Sequence, residues 1–323
     1  MRKEADSYKK TVLIASHSGD NNWRPVTNEL RDRGYKVVVY EADRVAKGTS
    51  SLRIGINLQD GLRIEYMGRQ LEPHDIAAAW YRKPFVHGNS ATSRSSLEQQ
   101  QKHIQYSLWH AIPEKAWLNP PGRILHAEHK LTQLLAARQI GFTIPETVVA
   151  NQWEPIQHSL PHSVIFKLPR AMVEVDGREQ IVPTTPFINS PSSLPKNSNP
   201  FPGLWQPRLI KKREWRVVVV GDRLFAGAIY TKAAAKEDWR IHFFTDAVKI
   251  RKASFPADQQ ALCFSYLEKL GLKFGVFDFI EDTDGKIIFL ECNHNGEYGE
   301  LANDLRLPIT EAIVDELDRI ATA

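Results

Sequence analysis

Residues 274–295, FGVFDFIEDTDGKIIFLECNHN, constrain the fold more than any other stretch of the chain. They read as two strands joined at Asp284-Gly285, a dipeptide that takes the positive φ angles of a tight hairpin. Asp278 is a lone carboxylate inside the first strand, which is otherwise apolar. Glu291 and Asn293 close the second strand two residues apart, so alternation sets both on one face. Pairing across the hairpin can carry Asp278 to that same face.

Two carboxylates and an amide oxygen make a hard-oxygen set. It suits Mg2+, which keeps several waters and takes nucleotide phosphates as its other ligands. Carboxylates buried in a sheet without a cation are costly, which favours a metal. The competing reading pairs Asp278 and Glu291 with arginines at a sheet edge. The three residues taken together favour the metal.

Around this hairpin the last third of the chain is regular. WRVVVVGDRLFAGAIY predicts two strands about a turn at Gly221-Asp222, Asp258 to Leu270 a helix ended by Gly271, and Pro308 to Ala321 a closing helix. The N-terminal part alternates strand and helix. TVLIAS (Thr11 to Ser16) is a buried strand, Asn22 to Gly34 a helix, and YKVVVYEAD a second strand. LRIGINL and LRIEYMG, split by Gln59-Asp60-Gly61, predict a hairpin, and DIAAAWYRKP a strand stopped by Pro84. This is α/β patterning with an open sheet.

A helix from about Ser95 to His110 leads to Pro120-Pro121, where we place a domain boundary. Glu128 to Gln139 is a helix closed by Gly141 and Pro145. Val148 to Val182 reads as short strands and loops. Residues 183–203, PTTPFINSPSSLPKNSNPFPG, form a loop that fits a solvated insertion and a cover over a nucleotide equally well. No repeat is visible.

Composition narrows the function. The chain has 323 residues, room for two or three packed lobes. No apolar run approaches the ~20 residues that cross a bilayer, and the charged start MRKEADSYKK lacks the apolar core of a signal peptide. Only Cys263 and Cys292 occur, on a predicted helix and a predicted strand end, which points away from a disulfide framework or zinc and toward a reducing cytoplasm. The net charge is +4, and the one dense basic patch, Lys211-Lys212-Arg213 with Arg216, sits among apolar residues. That is unlike a nucleic-acid groove, with its longer basic stripe and interleaved aromatics.

Two further groups carry chemistry. Lys130 starts a helix and Lys167 ends the strand SVIFKLP, where a lysine either snorkels outward or meets an anion. Gln206 opens QPRLIKKREWR, in which Glu214 and Arg216 alternate out of a strand. Arginine's rigid fork is a natural phosphate clamp, and the alternative is a charged outer face of a sheet.

In this order, Lys130, Lys167, Gln206 with LIKKREWRVVVVGDRLFAGAI, Asp278 and then Glu291-x-Asn293, the chain resembles the ATP-grasp ligases. It looks closest to the peptide macrocyclases that make microviridins and related graspetides. DIAAAWYRKP, AWLNPP, KLTQLLAARQIGFTIPET, Asp238-Trp239-Arg240 and LPITEAIVDEL also match, so the likeness runs from about Thr11 to the end.

The resemblance implies an ATP-grasp α/β fold in three parts. These are an N-terminal pre-ATP-grasp, peptide-binding domain over 1–120, a central subdomain over 121–205, and a C-terminal catalytic sheet subdomain over 206–323. It implies ATP and Mg2+ as cofactors. Lys130 and Lys167 would bind the phosphates and adenine edge, Gln206 and the backbone near Leu209 would line the adenine pocket, and Glu214 would assist there. Asp278, Glu291 and Asn293 would hold the metal, while Arg216 and Arg240 would steady the γ-phosphate or an acyl phosphate.

The implied partner is a short ribosomal precursor peptide, its leader held by the N-terminal domain near Gln59 to Gly61, with a homodimer expected and neither nucleic acid nor membrane. Two departures stand out. The family pattern Asn-Pro-x-Gly-Gln-Trp is Asn293-His294-Asn295-Gly296-Glu297-Tyr298 here, and the hinge glutamate after Gln206 is Pro207. Two other activities compete. One is an ATP-grasp ligase that adds amino acids to a protein C-terminus or a small carboxylate; the other is a nucleotide-binding regulatory module without catalysis.

Overall fold

The computed structural model describes residues 9–57, 61–84, 94–160, 163–167, 172–175, 178–181, 187–188, 203–232, 239 and 245–323. Gln59, Asp60, Asp238, Arg240 and nearly all of 183–203 lie outside them.

The chain begins β1 (Lys9–Ser16), α1 (Trp23–Asp32), β2 (Tyr35–Glu41), α2 (Ala42–Ala46), β3 (Leu52–Asn57), β4 (Gly61–Tyr66), β5 (Arg69–Leu71) and β6 (Ile76–Tyr81). β2, β1 and β6 form a parallel sheet in that order, while β3, β4 and β5 form an antiparallel one. β1 is apolar at successive positions because both of its faces are covered. Val12 and Ile14 enter one core, and Leu13 and Ala15 the other. α1 buries Trp23, Val26, Thr27 and Leu30, the i, i+3, i+4, i+7 stripe of a surface helix.

Next come α3 (Arg94–His110), α4 (Pro121–Ala127) and α5 (Lys130–Ile140). α5 stops at Gly141, whose φ of +103° is the left-handed cap that glycine adopts freely. A four-stranded sheet follows, built from β7 (Val148–Ala150), β8 (Val164–Lys167), β11 (Phe187–Ile188) and β12 (Gly203–Pro207) in the order β11-β8-β12-β7. The pair β9 (Met172–Val175) and β10 (Arg178–Ile181) stands beside it in sequence.

This region also holds a helix that its sequence does not announce, α6 (Trp153–Ser159). Pro155 lies in its first turn, where no backbone N–H is required, so the proline does not break it. Ile156, fully buried, and Trp153, packed edge-on against Trp205, anchor it.

The C-terminal part is a five-stranded sheet with the order β15-β14-β13-β16-β17. Its members are β13 (Lys211–Val220), β14 (Arg223–Thr231), β15 (Val248–Lys252), β16 (Phe274–Asp282) and β17 (Ile287–Asn293), with α7 (Ala257–Leu270) before β16. α8 (Gly299–Asp304) and α9 (Ile309–Thr322) follow, and α9 packs back onto α1, β6 and β13. Among the described residues no helix is long and apolar enough to cross a membrane.

Alternation along this sheet sets its two faces. Val217, Val219, Phe277, Phe279 and Phe289 pack into the larger core. The opposite face is apolar at one end, where Val218, Val220, Phe274 and Val276 join the core that α1 and α9 cover. Toward the other end the same face turns polar.

Candidate active site

At that polar end, strand pairing lines up three charged residues in one row. Arg216 of β13 stands opposite Asp278 of β16, and Asp278 stands opposite Glu291 of β17. Asn293, two residues on, pairs with Val276 and so shares their face.

The row depends on a β-bulge. Phe279 pairs with Phe289 but Asp278 pairs with Glu291, so Leu290 is an extra residue on β17. Without the irregularity, alternation from the buried Phe289 would turn Glu291 into the core. The bulge lets Leu290 and Glu291 both face outward, half-buried, while Cys292 returns to the core.

Among the described residues β17 is an edge strand, and groups from outside the sheet complete its open edge. Gln133 of α5 accepts a hydrogen bond from the Cys292 N–H at 3.0 Å and donates to the Cys292 carbonyl at 2.9 Å. The Phe289 N–H is bonded to the Thr143 carbonyl at 2.8 Å. Asn119 does similar work where β16 begins. Its amide nitrogen donates to the carbonyls of Phe274, at 2.8 Å, and His294, while its oxygen accepts from the N–H groups of Lys273 and Phe274.

The electrostatics are tightly matched. Arg216 Nη1 lies 3.0 Å from Asp278 Oδ1, and Nη2 donates to the Glu297 carbonyl at 2.6 Å. Lys130, the first residue of α5, pairs with Glu291. A cation there opposes the positive end of the helix dipole, so its placement makes sense only beside an anion. The Asn293 amide nitrogen donates to Glu291 Oε1 at 3.2 Å. Its oxygen takes no hydrogen bond among the described residues. The arginine-pairing alternative for Asp278 is thus realised, in the same row that gathers the hard oxygens.

The stretch 293–298 has a partner in the N-terminal part of the chain. Arg82, fully buried at the end of β6, donates to the carbonyls of Asn295 and Gly296 and to Glu297 Oε2, the last at 2.6 Å. Its Nε is 3.1 Å from Asp20. Lys83 and Asn22 also bond the Glu297 carboxylate, and Tyr298 donates to the Asn22 carbonyl at 3.1 Å. The loop after Asn293 is therefore gripped by the N-terminal sheet. His294, buried within it, has both ring nitrogens without a partner among the described residues. Burial pushes its pKa down to about 3, so its imidazole is neutral. Burial, and then the neighbouring Cys263, Asp278 and Glu291, raise the Cys292 thiol well above its ordinary range.

The other predicted residues are spread over neighbouring elements. Gln206 is buried in β12, its amide nitrogen donating to Thr147 Oγ1 at 2.9 Å and its oxygen without a partner among the described residues. Lys167 ends β8, beside β12, with its Cα paired to Leu204. Leu209 is half-buried in the link from β12 to β13, and Glu214 of β13 is paired with Lys211 at 2.6 Å. Arg240 lies outside the described residues. Trp239 is buried, with the Arg216 guanidinium 5.8 Å from its ring centre.

The donor set fits a hard divalent cation. Two carboxylates and an amide oxygen that takes no hydrogen bond among the described residues share one face, Asp278 buried and Glu291 and Asn293 partly so, with Lys130 and Arg216 beside them for anionic ligands. The sequence reading missed Arg82, Asn119 and Gln133 as parts of the site. Gln133 had a readable signal, since it lies one helical turn from Lys130.

The chain is similar along nearly its whole length to solved ATP-grasp ligases. The RiPP-associated ATP-grasp ligase of Chryseobacterium gregarium, in complex with ADP and a leader and core peptide, superposes with a TM-score of 0.81 at 25% identity, covering 96% of this chain and 97% of that one. Macrocyclase MdnC bound with precursor peptide MdnA, from Microcystis aeruginosa MRC, gives 0.80 at 24% identity over 95% and 99%. ATP-grasp ligase PsnB, complexed with minimal precursor, Mg and ADP, gives 0.72 at 18% identity over 97% and 98%. No protein-family model and no curated protein matches the chain.

Proposed function

We propose that this chain, whose fold is that of the ATP-grasp ligases, uses ATP to form side-chain ester or amide crosslinks in a ribosomal precursor peptide. One observation carries the reading. The hard-oxygen row Asp278, Glu291 and Asn293 sits with Arg216 and Lys130 in a chain that matches peptide-acting ligases over 95–96% of its length.

The chemistry takes two steps. A substrate Asp or Glu carboxylate attacks the γ-phosphorus, the bond to the bridging oxygen breaks, and ADP leaves. A Ser or Thr hydroxyl or a Lys amine then attacks the acyl carbon, expelling phosphate and losing its proton. Asp278, Glu291 and Asn293 hold Mg2+, which when bound neutralises phosphate charge. Arg216 and Arg240 stabilise the transferring phosphoryl group electrostatically.

Lys130 and Lys167 hold the phosphates and the adenine edge. Gln206 and the backbone near Leu209 line the adenine pocket, with Glu214 beside them. The unpartnered Gln206 oxygen is an acceptor suited to an amino group on the base. Residues 1–120 bind the leader, 121–205 form the central subdomain, and 206–323 carry the catalysis. The active form is a homodimer in a reducing cytoplasm, in keeping with the two buried free thiols.

The test is co-expression with a precursor peptide encoded beside this gene, followed by the peptide's intact mass. Loss of one water per bond with the natural enzyme, and none with Asp278→Ala, is the expected result. An unchanged mass, with ADP release that depends on free amino acids, would point to the C-terminal-ligase alternative. No ADP formation with any acceptor would leave the regulatory module.

A further inference from the structure

A cavity of about 550 Å³ opens on the N-terminal lobe, with Val37, Val38 and Val39 of β2 among its lining. Successive strand residues point to opposite faces, and Val37 and Val38 here enter different cores. Three consecutive residues can therefore border one cavity only along the strand's edge, where the backbone itself is presented. β2 is indeed the edge of its sheet among the described residues. An open strand edge is a template for a further strand.

The rest of the lining states what that strand should carry. Arg24 and Arg31 of α1, Arg44 of α2 and Arg69 of β5 border the cavity, all exposed, against a single carboxylate, Glu41. Glu41 already lies 3.2 Å from Arg44. Met67 stands at the rim, 53% exposed, with a φ of +52°. It opens a two-residue turn completed by Gly68, a position where Asn or Gly is ordinary. The turn holds a flexible, apolar side chain against the groove.

We infer that this groove binds an extended, carboxylate-bearing peptide segment, which adds as a strand beside β2 with its acidic side chains against Arg24, Arg31 and Arg69. The inference rests on the reading of this enzyme as one that acts on a ribosomal precursor, and it assigns part of that peptide to the groove. Edge arginines also deter unwanted strand pairing, and the experiment separates the two roles.

The full-length enzyme is titrated into a fluorescein-labelled octapeptide of threonine pairs alternating with glutamate pairs, which sets carboxylates on both faces of the added strand, and into its threonine–lysine counterpart. The expected result is binding of the acidic probe alone, weakening with salt, with slowed amide exchange at Val37–Val39. In the double variant Arg31→Glu, Arg69→Glu the affinity falls about tenfold or more, while ADP binding is unchanged.

Equal binding of the lysine probe, no binding of either, or full binding by the double variant would overturn the inference. A changed sedimentation coefficient of that variant without any probe binding would assign the groove to a second copy of the chain. The two readings fail separately. If precursor crosslinking is absent but the acidic probe docks on β2, the groove stands without the ligase. If crosslinking proceeds at unchanged KM in the double variant, the ligase stands without the groove.

Discussion

Arg216 faces Asp278 directly across β13 and β16, and its guanidinium also donates to the backbone carbonyl of Glu297, so one buried arginine ties the carboxylate row to the loop that follows it. Breaking a largely desolvated pair leaves the surviving charge uncompensated, at a cost of about 3–5 kcal/mol. Arg216→Ala and Asp278→Ala are each expected to lower stability by several kcal/mol. The double variant should be less damaged than the sum, because neither charge is then stranded. Chemical denaturation of the four proteins gives the coupling energy. Strict additivity would mean that the pair is not a unit.

Arg82 is the larger structural commitment. Its guanidinium meets Asp20, two loop carbonyls and Glu297, all without solvent exposure of its own. Arg82→Ala should reduce stability by about 3–5 kcal/mol, seen as a fall in denaturant midpoint. Glu297→Gln keeps one acceptor oxygen for Arg82 but loses the charge and the oxygen that accepts from Lys83, so a smaller loss of about 1–2 kcal/mol is expected. Equal losses in the two variants would show that the carboxylate, not the buried guanidinium, organises the loop.

Glu281 sets a pH limit. Burial alone would raise its carboxyl, but hydrogen bonds from Arg213 at 2.5 Å and the Trp215 indole at 2.9 Å outweigh burial and hold it below its ordinary value. A carboxyl lowered in the folded state contributes stability that is complete above its unfolded pKa. That stability drains away as pH falls through the folded value. Unfolding free energy measured between pH 7 and pH 3 should therefore fall less steeply for Glu281→Gln than for the natural protein. Parallel curves would remove Glu281 from the acid limb.

Periodicity and punctuation account for what the sequence made legible. Gly141, Gly271 and Gly285 mark element ends by chemistry that acts within a few residues, and alternation sets Glu291 with Asn293 on one face. The alignment of Asp278 with Glu291 was not readable in the same way. It depends on the bulge at Leu290, and nothing in IIFLECN distinguishes a bulged strand from a regular one. Arg82 and Asn119 escaped for another reason. Their partners lie 213 and 155 residues away, so their roles exist only once the lobes are packed.

Gln133 offers a sharper test of how the site is held. Its side chain satisfies both backbone groups of Cys292, the residue between two of the three proposed metal ligands, and also donates to the Ala127 carbonyl. Gln133→Leu keeps the bulk but orphans these buried groups, at about 1–3 kcal/mol. Residues that orient metal ligands typically cost 10- to 100-fold in metal affinity or activity when lost. The Mg2+ dependence of ADP binding, followed by calorimetry at a temperature where the variant remains folded, should shift by about that factor. Arg82→Ala, assayed while folded, leaves the Cys292 pairing intact and should shift it less. If Gln133→Leu lowers the melting temperature but leaves the Mg2+ dependence unmoved, the amide supports the fold alone.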